Sequence, residues 1–206
     1  MNNNRHSYIK IGPISTSEIE IRDLFKAWAA ISLAFAILFS KGGIGQGLAN
    51  TFMYSFMISG LTVGIGFIFH ELAHKIVAQY YGCFAEFRSD DRMLIFAVLI
   101  SFLGFVIAAP GAVIISGPVG RRRNGIISAA GPAMNLLLAV VFLLGILFIG
   151  NNLIFVYGFS INTILGLFNL IPFGIFDGKK VLDWNKPVYS AMVGAGILLL
   201  VIQSFI

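Results

Sequence analysis

Five long apolar runs, separated by short polar segments, dominate the hydrophobic pattern of this chain. Each run is long enough for a membrane-spanning helix, which needs about 17–25 residues. In residue numbers the runs are 24–40, 48–81, 126–150, 153–171 and 188–206. Since only helices and closed barrels span a bilayer, the pattern predicts an all-α polytopic membrane protein with about five to six transmembrane helices.

The apolar segment 93–117 departs from this pattern because Pro110 and Gly111 interrupt it. The residues that follow, 112–115, are Ala-Val-Ile-Ile, and such residues favour a strand. We therefore expect a re-entrant or short β segment near 93–117, with a hairpin of two short membrane helices as the alternative. The flanking residues, 82–92 and 117–125, predict a charged loop and a polar turn.

Composition supports a lipid environment for most of the chain. Hydrophobic residues make up 58% and charged residues only 11%, whereas a soluble domain has about 25% charged residues. The net charge of +5 comes from basic residues at the ends of the apolar runs, not from a surface patch, so nucleic acid is not an expected partner. The single cysteine, Cys83, excludes an intramolecular disulfide and a cysteine-based metal cluster.

The distribution of basic residues also predicts an orientation in the cell membrane. If residues 1–23 form a cytosolic lead-in and 93–117 does not cross the membrane, Arg121, Arg122 and Arg123 lie on the cytoplasmic side, as the positive-inside rule requires. A single crossing would place them outside. The N-terminus and the opening of the active site are therefore expected to be cytoplasmic, and residues 24–206 to form one integral membrane domain.

The sequence His-Glu-Leu-Ala-His at residues 70–74 is the strongest chemical signal. Four residues turn a helix by about 400°, so His70 and His74 share one face and can bind one zinc ion. Glu71 lies on the adjacent flank, where it can accept a proton from zinc-bound water. Two histidines and a glutamate could also be core residues, but ionisable groups inside a membrane span are costly and mark function.

A catalytic zinc ion with three protein ligands needs one more side chain. Asp177 follows a stretch broken by Pro172 and Gly174, and broken backbone at membrane depth is tolerated where it lines protein or a cavity. Asp183 is the rival third ligand, although the lysines near it indicate water. Asp177 is favoured on these grounds, and one zinc ion per chain is expected.

Asn135 is a lone amide in the apolar run 126–150, and a buried amide is costly unless it is hydrogen-bonded. It could stabilise a neighbouring helix by a hydrogen bond. It could equally stabilise the negative charge that develops on the carbonyl of a substrate. The residues alone do not separate these alternatives.

Three motifs in this order resemble the site-2 protease family of intramembrane zinc metalloproteases: HELAH at 70–74, AGPAMN at 130–135 and NLIPFGIFDG at 169–178. The resemblance covers residues 48–185. It implies that His70, His74 and Asp177 bind zinc, that Glu71 is the base, and that Asn135 positions the substrate or stabilises the oxyanion. The chain differs from longer relatives of that family because it lacks a PDZ-type domain and has Lys179 after Asp177-Gly178.

The sequence thus predicts a zinc-dependent metalloendopeptidase that cleaves membrane-spanning protein substrates, with water activated by Glu71. The rival interpretation from another class is a non-proteolytic polytopic membrane protein whose His/Asp cluster is a metal or cation transport site. Such a site would need His70, His74 and Asp177 but would have no use for Glu71 as a base.

Overall fold

The computed structural model describes residues 8–12, 14–41, 48–106 and 110–206, so the glycine-rich turn after the first apolar run lies largely outside the described residues. The fold is mainly helical. Its helices are α1 (Glu18–Lys41), α2 (Leu48–Ser59), a π-helical turn (Gly60–Gly64), α3 (Ile65–Tyr80), α4 (Asp91–Ser101), α5 (Arg121–Phe148), α6 (Leu153–Asn169), α7 (Asp177–Trp184) and α8 (Lys186–Gln203). Its strands are β1 (Tyr8–Ile11), β2 (Ile14–Ser17), β3 (Phe84–Ser89) and β4 (Gly111–Ser116).

Four stretches of described helix are long and apolar enough to cross a membrane: Glu18–Ser40, Phe52–Tyr80, Arg121–Phe148 and Lys186–Gln203. The helix α6 is apolar but shorter. The protein therefore has the character of a membrane protein, while the expected number of five to six transmembrane helices stays a prediction.

The first helix begins at Glu18, before the apolar run that starts at Leu24. The hydroxyl of Ser17 accepts a hydrogen bond from the backbone N–H of Glu20 at 3.2 Å. Such a bond satisfies one of the free donors at a helix start and lets the helix extend into the polar lead-in. The lead-in proposed for residues 1–23 thus contributes its last residues to α1.

The second apolar run forms one continuous helical segment, which is α-helical at both ends and π-helical over Gly60–Gly64. The indole N–H of Trp28 on α1 donates to the carbonyl of Gly60 at 3.1 Å. A β-carbon at Gly64 would lie 2.6 Å from the Trp28 ring. Gly60 and Gly64 therefore permit the close approach of two membrane helices, as small residues do in lipid.

The strands β3 and β4 form an antiparallel sheet, in which Phe84 lies opposite Ser116. The strand expected at 112–115 is confirmed, and the alternative of two short helices is wrong. The loop expected at 82–92 is also wrong: Phe84–Ser89 is a strand whose alternate residues Ala85 and Phe87 are fully buried. Because the two strands pair from end to end, the chain between them leaves one place in the fold and returns to it.

The outer edge of β3, away from β4, is covered by side chains. Each of three neighbouring side chains bonds one outward backbone group of the strand. The bonds are Gln79 Nε2 to the Ala85 carbonyl at 2.9 Å, the Phe87 N–H to Glu20 Oε1 at 2.9 Å, and the Ser89 N–H to Asp23 Oδ2 at 3.4 Å. Polar side chains thus occupy the edge at which another strand could pair.

This pattern fixes the direction of the backbone groups of β4. Phe87 lies opposite Val113, and its N–H points away from β4, so the two form a non-hydrogen-bonded pair. The N–H and carbonyl of Val113 therefore also point away from β3, and the same alternation applies to Ile115 and Gly111. Among the described residues β4 pairs with no strand other than β3, so no strand covers its outer edge.

Two further segments differ from expectation. Arg121, Arg122 and Arg123 begin α5 and do not lie in a turn. The segment 172–187, expected to be irregular, contains the short helix α7, which begins at Asp177. The irregular backbone is confined to the residues before Asp177, so this carboxylate lies at the first residue of α7.

Candidate metal centre

The helix α3 presents His70 and His74 on one face, as their spacing predicts, and both side chains are buried. Their Nε2 atoms lie 3.0 Å apart. Each imidazole is oriented through its other nitrogen: Nδ1 of His70 lies 2.6 Å from Oδ1 of Asn135, and Nδ1 of His74 lies 2.7 Å from the carbonyl of Ile127. Because both partners are acceptors, each Nδ1 carries the proton, and each Nε2 has a free lone pair.

Asp177 completes the cluster from the start of α7. Its Oδ2 lies 3.0 Å from Nε2 of His74 and 3.5 Å from Nε2 of His70. The second oxygen, Oδ1, faces the ammonium of Lys180 at 3.6 Å. Among the described residues, His70, His74 and Asp177 form the group of histidine, cysteine and carboxylate side chains that could hold a metal ion. Asp183 is not part of this group.

The three donor atoms suit zinc. Two neutral imidazole nitrogens and a carboxylate oxygen form a common ligand set of catalytic zinc sites, which leave the fourth position open. Zinc–nitrogen bonds of about 2.0–2.1 Å in a tetrahedron place ligand atoms roughly 3.3 Å apart, close to the separations of 3.0 and 3.5 Å found here. Two lone pairs and a carboxylate that converge in a buried space also repel one another, so a cation stabilises the arrangement.

Gly131 on α5 lies against the cluster. A β-carbon at this position would lie 2.3 Å from Nε2 of His74 and 2.6 Å from Nε2 of His70. Real β-carbons do not approach other atoms so closely. The glycine of the AGPAMN motif therefore leaves the space in which the two imidazoles and Asp177 converge.

Glu71 flanks the cluster without belonging to its ligands. Its side chain is only 9% exposed. The backbone amide of Val113 on β4 lies within hydrogen-bonding reach of its carboxylate, which agrees with the outward direction of that amide. The potential base thus lies between the candidate ligands and the outer edge of β4.

Asn135 lies one helical turn beyond Gly131 on α5 and is 1% exposed. Its Oδ1 accepts from His70, while its Nδ2 donates to the carbonyl of Gly66 and to Oδ1 of Asn162, both at 3.2 Å. The structure thus brings Asn135 to the centre as a partner of His70, one of the candidate ligands. Its assignment as a catalytic group that touches substrate stays a prediction.

Sequence reasoning missed two residues of this region. Gly131 lies within a recognised motif, but its closeness to the imidazoles depends on how α3 and α5 pack. Asn162 carried a usable signal, because it is a lone amide in an apolar run, as Asn135 is.

Comparison with known proteins identifies one informative relative. The chain is 40% identical, over 172 residues, to a protein of Methanocaldococcus jannaschii that bears the name "Putative zinc metalloprotease". The match covers 81% of this chain and 86% of the relative. No protein-family model matches the chain, and no solved structure matches it. Since the identity extends over most of both chains and the His-His-Asp donor set suits zinc, the chain belongs to the family of zinc metalloproteases that this archaeal relative represents.

Proposed function

We propose that this protein is an intramembrane-cleaving zinc metalloendopeptidase of the site-2 protease type, which hydrolyses peptide bonds of membrane-spanning proteins. The observation that carries the proposal is the position of Glu71. This buried carboxylate lies beside His70, His74 and Asp177 but is not one of the candidate ligands. Hydrolysis needs such a base, whereas a cation transport site does not.

The chemistry follows from the donor set and the base. His70, His74 and Asp177 would hold a zinc ion, which would supply a Lewis acid for the substrate carbonyl and for water. Glu71 accepts the proton that the attacking water loses. It then passes this proton to the nitrogen of the leaving amine, so the base returns to its starting state. The Nδ1 contacts of the two histidines keep the orientation of both rings fixed meanwhile.

A peptide bond in a transmembrane helix is shielded by the helical hydrogen bonds, so the substrate must become extended before it reacts. The outer edge of β4 supports binding of an extended segment, because no other described strand pairs with it. The N–H and carbonyl of Ile115 point outward, next to the Val113 amide that Glu71 approaches, and a substrate strand can pair with them by strand addition. The covered edge of β3 favours β4 as the place of pairing.

The expected location is the cell membrane, with several spans and with the N-terminus and active-site opening on the cytoplasmic side. Four helices of sufficient length and apolar character support the membrane location. Arg121, Arg122 and Arg123 at the start of α5 support the orientation, because basic residues accumulate on the cytoplasmic side. The end-to-end pairing of β3 and β4 supports a segment that enters and leaves on the same side.

Replacement of Glu71 by glutamine tests the proposal. The Glu71→Gln protein should retain about one zinc ion per chain, because the residue is not a ligand. It should cleave a membrane-spanning reporter at least about 10²-fold more slowly, which is the lower range for loss of a general base. Zinc content is measured by elemental analysis of detergent-purified protein and cleavage by gel analysis of the reporter. Cleavage at the wild-type rate would exclude Glu71 as the base.

A further inference from the structure

Two buried amides connect the metal centre to a helix that supplies none of its ligands. Asn135 on α5 is 1% exposed and Asn162 on α6 is 0% exposed. Nδ2 of Asn135 donates to Oδ1 of Asn162 at 3.2 Å. Such groups are costly to bury unless their hydrogen bonds are made, so each of these contacts constrains the next.

The orientation of the Asn162 amide is determined by its bond to Gly158, the residue of this hydrogen-bonded series that lies farthest from the metal centre. Nδ2 of Asn162 donates to the carbonyl of Gly158 at 2.9 Å. A carbonyl can only accept, so the Asn162 amide must turn its nitrogen toward Gly158 and its oxygen toward Asn135.

The amide of Asn135 is fixed in the same way. Its nitrogen faces two acceptors, the carbonyl of Gly66 and Oδ1 of Asn162. Its oxygen is therefore left for His70, where it can only accept the proton of Nδ1. The result is that the lone pair of His70 lies on Nε2, the atom that faces His74 and Asp177.

Close packing of α3 against α6 holds the acceptor atom, Oδ1 of Asn162, in place. A β-carbon at Gly66 on α3 would lie 2.3 Å from Oδ1 of Asn162. The absence of a side chain at residue 66 thus lets the Asn162 amide lie directly against the backbone of the zinc-binding helix.

We propose that Asn162 is a positioning residue of the metal centre, which acts through Asn135 to fix the tautomer and the ring orientation of His70. The proposal rests on the zinc site of the proposed function but not on proteolysis. Partners that orient a zinc-binding histidine typically contribute about 10–100-fold to metal affinity. His74 has its own partner, the carbonyl of Ile127, and its orientation does not depend on the hydrogen bonds of Asn135 and Asn162.

Zinc affinity, measured by competition with a chelator on the detergent-purified full chain, tests the proposal. Asn162→Ala removes one of the two acceptors of the Asn135 amide, while the Gly66 carbonyl stays, and should weaken zinc binding about 10-fold, the low end for partners that orient a histidine ligand. Asn162→Asp should restore most of the affinity, because burial keeps the carboxyl group at this position neutral, with its O–H donating to the Gly158 carbonyl and its other oxygen accepting from Asn135. Thr163→Ala is the matched control, because Thr163 is equally buried on α6 but bonds only within its own helix, to Phe159 at 2.8 Å; it should bind zinc as the wild type does.

A double variant separates positioning from general stability. If Asn162 acts through Asn135, adding Asn162→Ala to Asn135→Ala should change zinc affinity little further, because residues of one network are not additive. Wild-type affinity in Asn162→Ala, or independent losses in the double variant, would overturn the proposal. If the wild type binds zinc but cleaves no reporter, the protease proposal fails while the role of Asn162 can still be measured.

Discussion

Gly131 and His74 lie so close together that any side chain at residue 131 would meet Nε2 of the imidazole, at 2.3 Å for a β-carbon. We therefore predict that Gly131→Ala lowers zinc occupancy, because the added methyl group occupies the space of the ligand atoms. Zinc content after dialysis against a weak chelator measures the effect.

Gly194→Ala provides the control for this change. Gly194 also lies within a helix, α8, but a β-carbon there meets nothing within 4 Å. This variant should retain wild-type zinc content. If Gly131→Ala bound zinc equally well, the close approach of α5 to the imidazoles would not matter for the metal.

Removal of the third ligand should abolish both metal binding and hydrolysis. Asp177→Ala leaves only two protein ligands, whereas catalytic zinc sites use three. Asp183→Ala is the control, because this carboxylate lies on the same short helix but does not belong to the group that could hold the metal. The Asp183→Ala protein should keep its zinc and its activity. The opposite pattern in the zinc analysis would make Asp183 the ligand.

The proposed pairing of substrate with the outer edge of β4 predicts a selective effect of proline at residue 115. Ile115→Pro removes an outward N–H, which an edge strand tolerates, so zinc content should stay unchanged while cleavage of the reporter slows. Ile115→Ala removes the same packing but keeps the N–H, and it should cleave faster than the proline variant. Equal rates for the two variants would argue against substrate pairing along this edge.

Lys75 and Glu20 form a fully buried ion pair that joins α3 to the start of α1. Lys75→Met should destabilise the protein by about 3–5 kcal/mol, since it leaves a buried carboxylate without its counter-charge. Adding Glu20→Gln should recover part of the loss, because the remaining side chain is then neutral. Thermal unfolding in detergent measures both effects, and an unchanged unfolding temperature for Lys75→Met would contradict a buried charge at Glu20.

The pairing of β3 with β4 predicts that the residue before β3 and the residue after β4 face the same side of the membrane. Tyr80 at the end of α3 and Arg122 at the start of α5 are exposed. In a Cys83→Ser background, Tyr80→Cys and Arg122→Cys should react with a membrane-impermeant thiol reagent from the same side. Reaction from opposite sides would mean that the intervening chain crosses the membrane.

The cluster of His70, His74 and Asp177 could be predicted from the sequence because local rules govern it. Helical spacing brings His70 and His74 together, and broken backbone singles out Asp177. The strand β3 was missed because Glu86 and Arg88, which pair with each other, made the segment resemble a solvated loop and hid the alternation of Ala85 and Phe87.

The contacts of Gly131 and Asn162 could not be predicted in this way. They depend on how helices distant in sequence approach one another, and spacing along the chain carries no information on that approach. The charged start of α5 was similarly misjudged, since three consecutive arginines resemble a turn although a helix can begin with them at a membrane surface.

The π-helical turn at Gly60–Gly64 accommodates one extra residue between α2 and α3, and so helps to determine the direction in which the side chains of α3 point. Each residue of an α-helix advances the side chains by about 100°, and a π-turn contains one residue more than an α-helical path requires. The indole of Trp28 donates to the carbonyl of Gly60 at the start of the π-helical turn, whereas His70 and His74 lie on α3, after this turn. Deletion of one residue within this turn would therefore restore an α-helical path and leave both histidines facing Asp177, whereas the same deletion in the α-helical residues 65–69 would rotate them relative to Trp28 by about 100°.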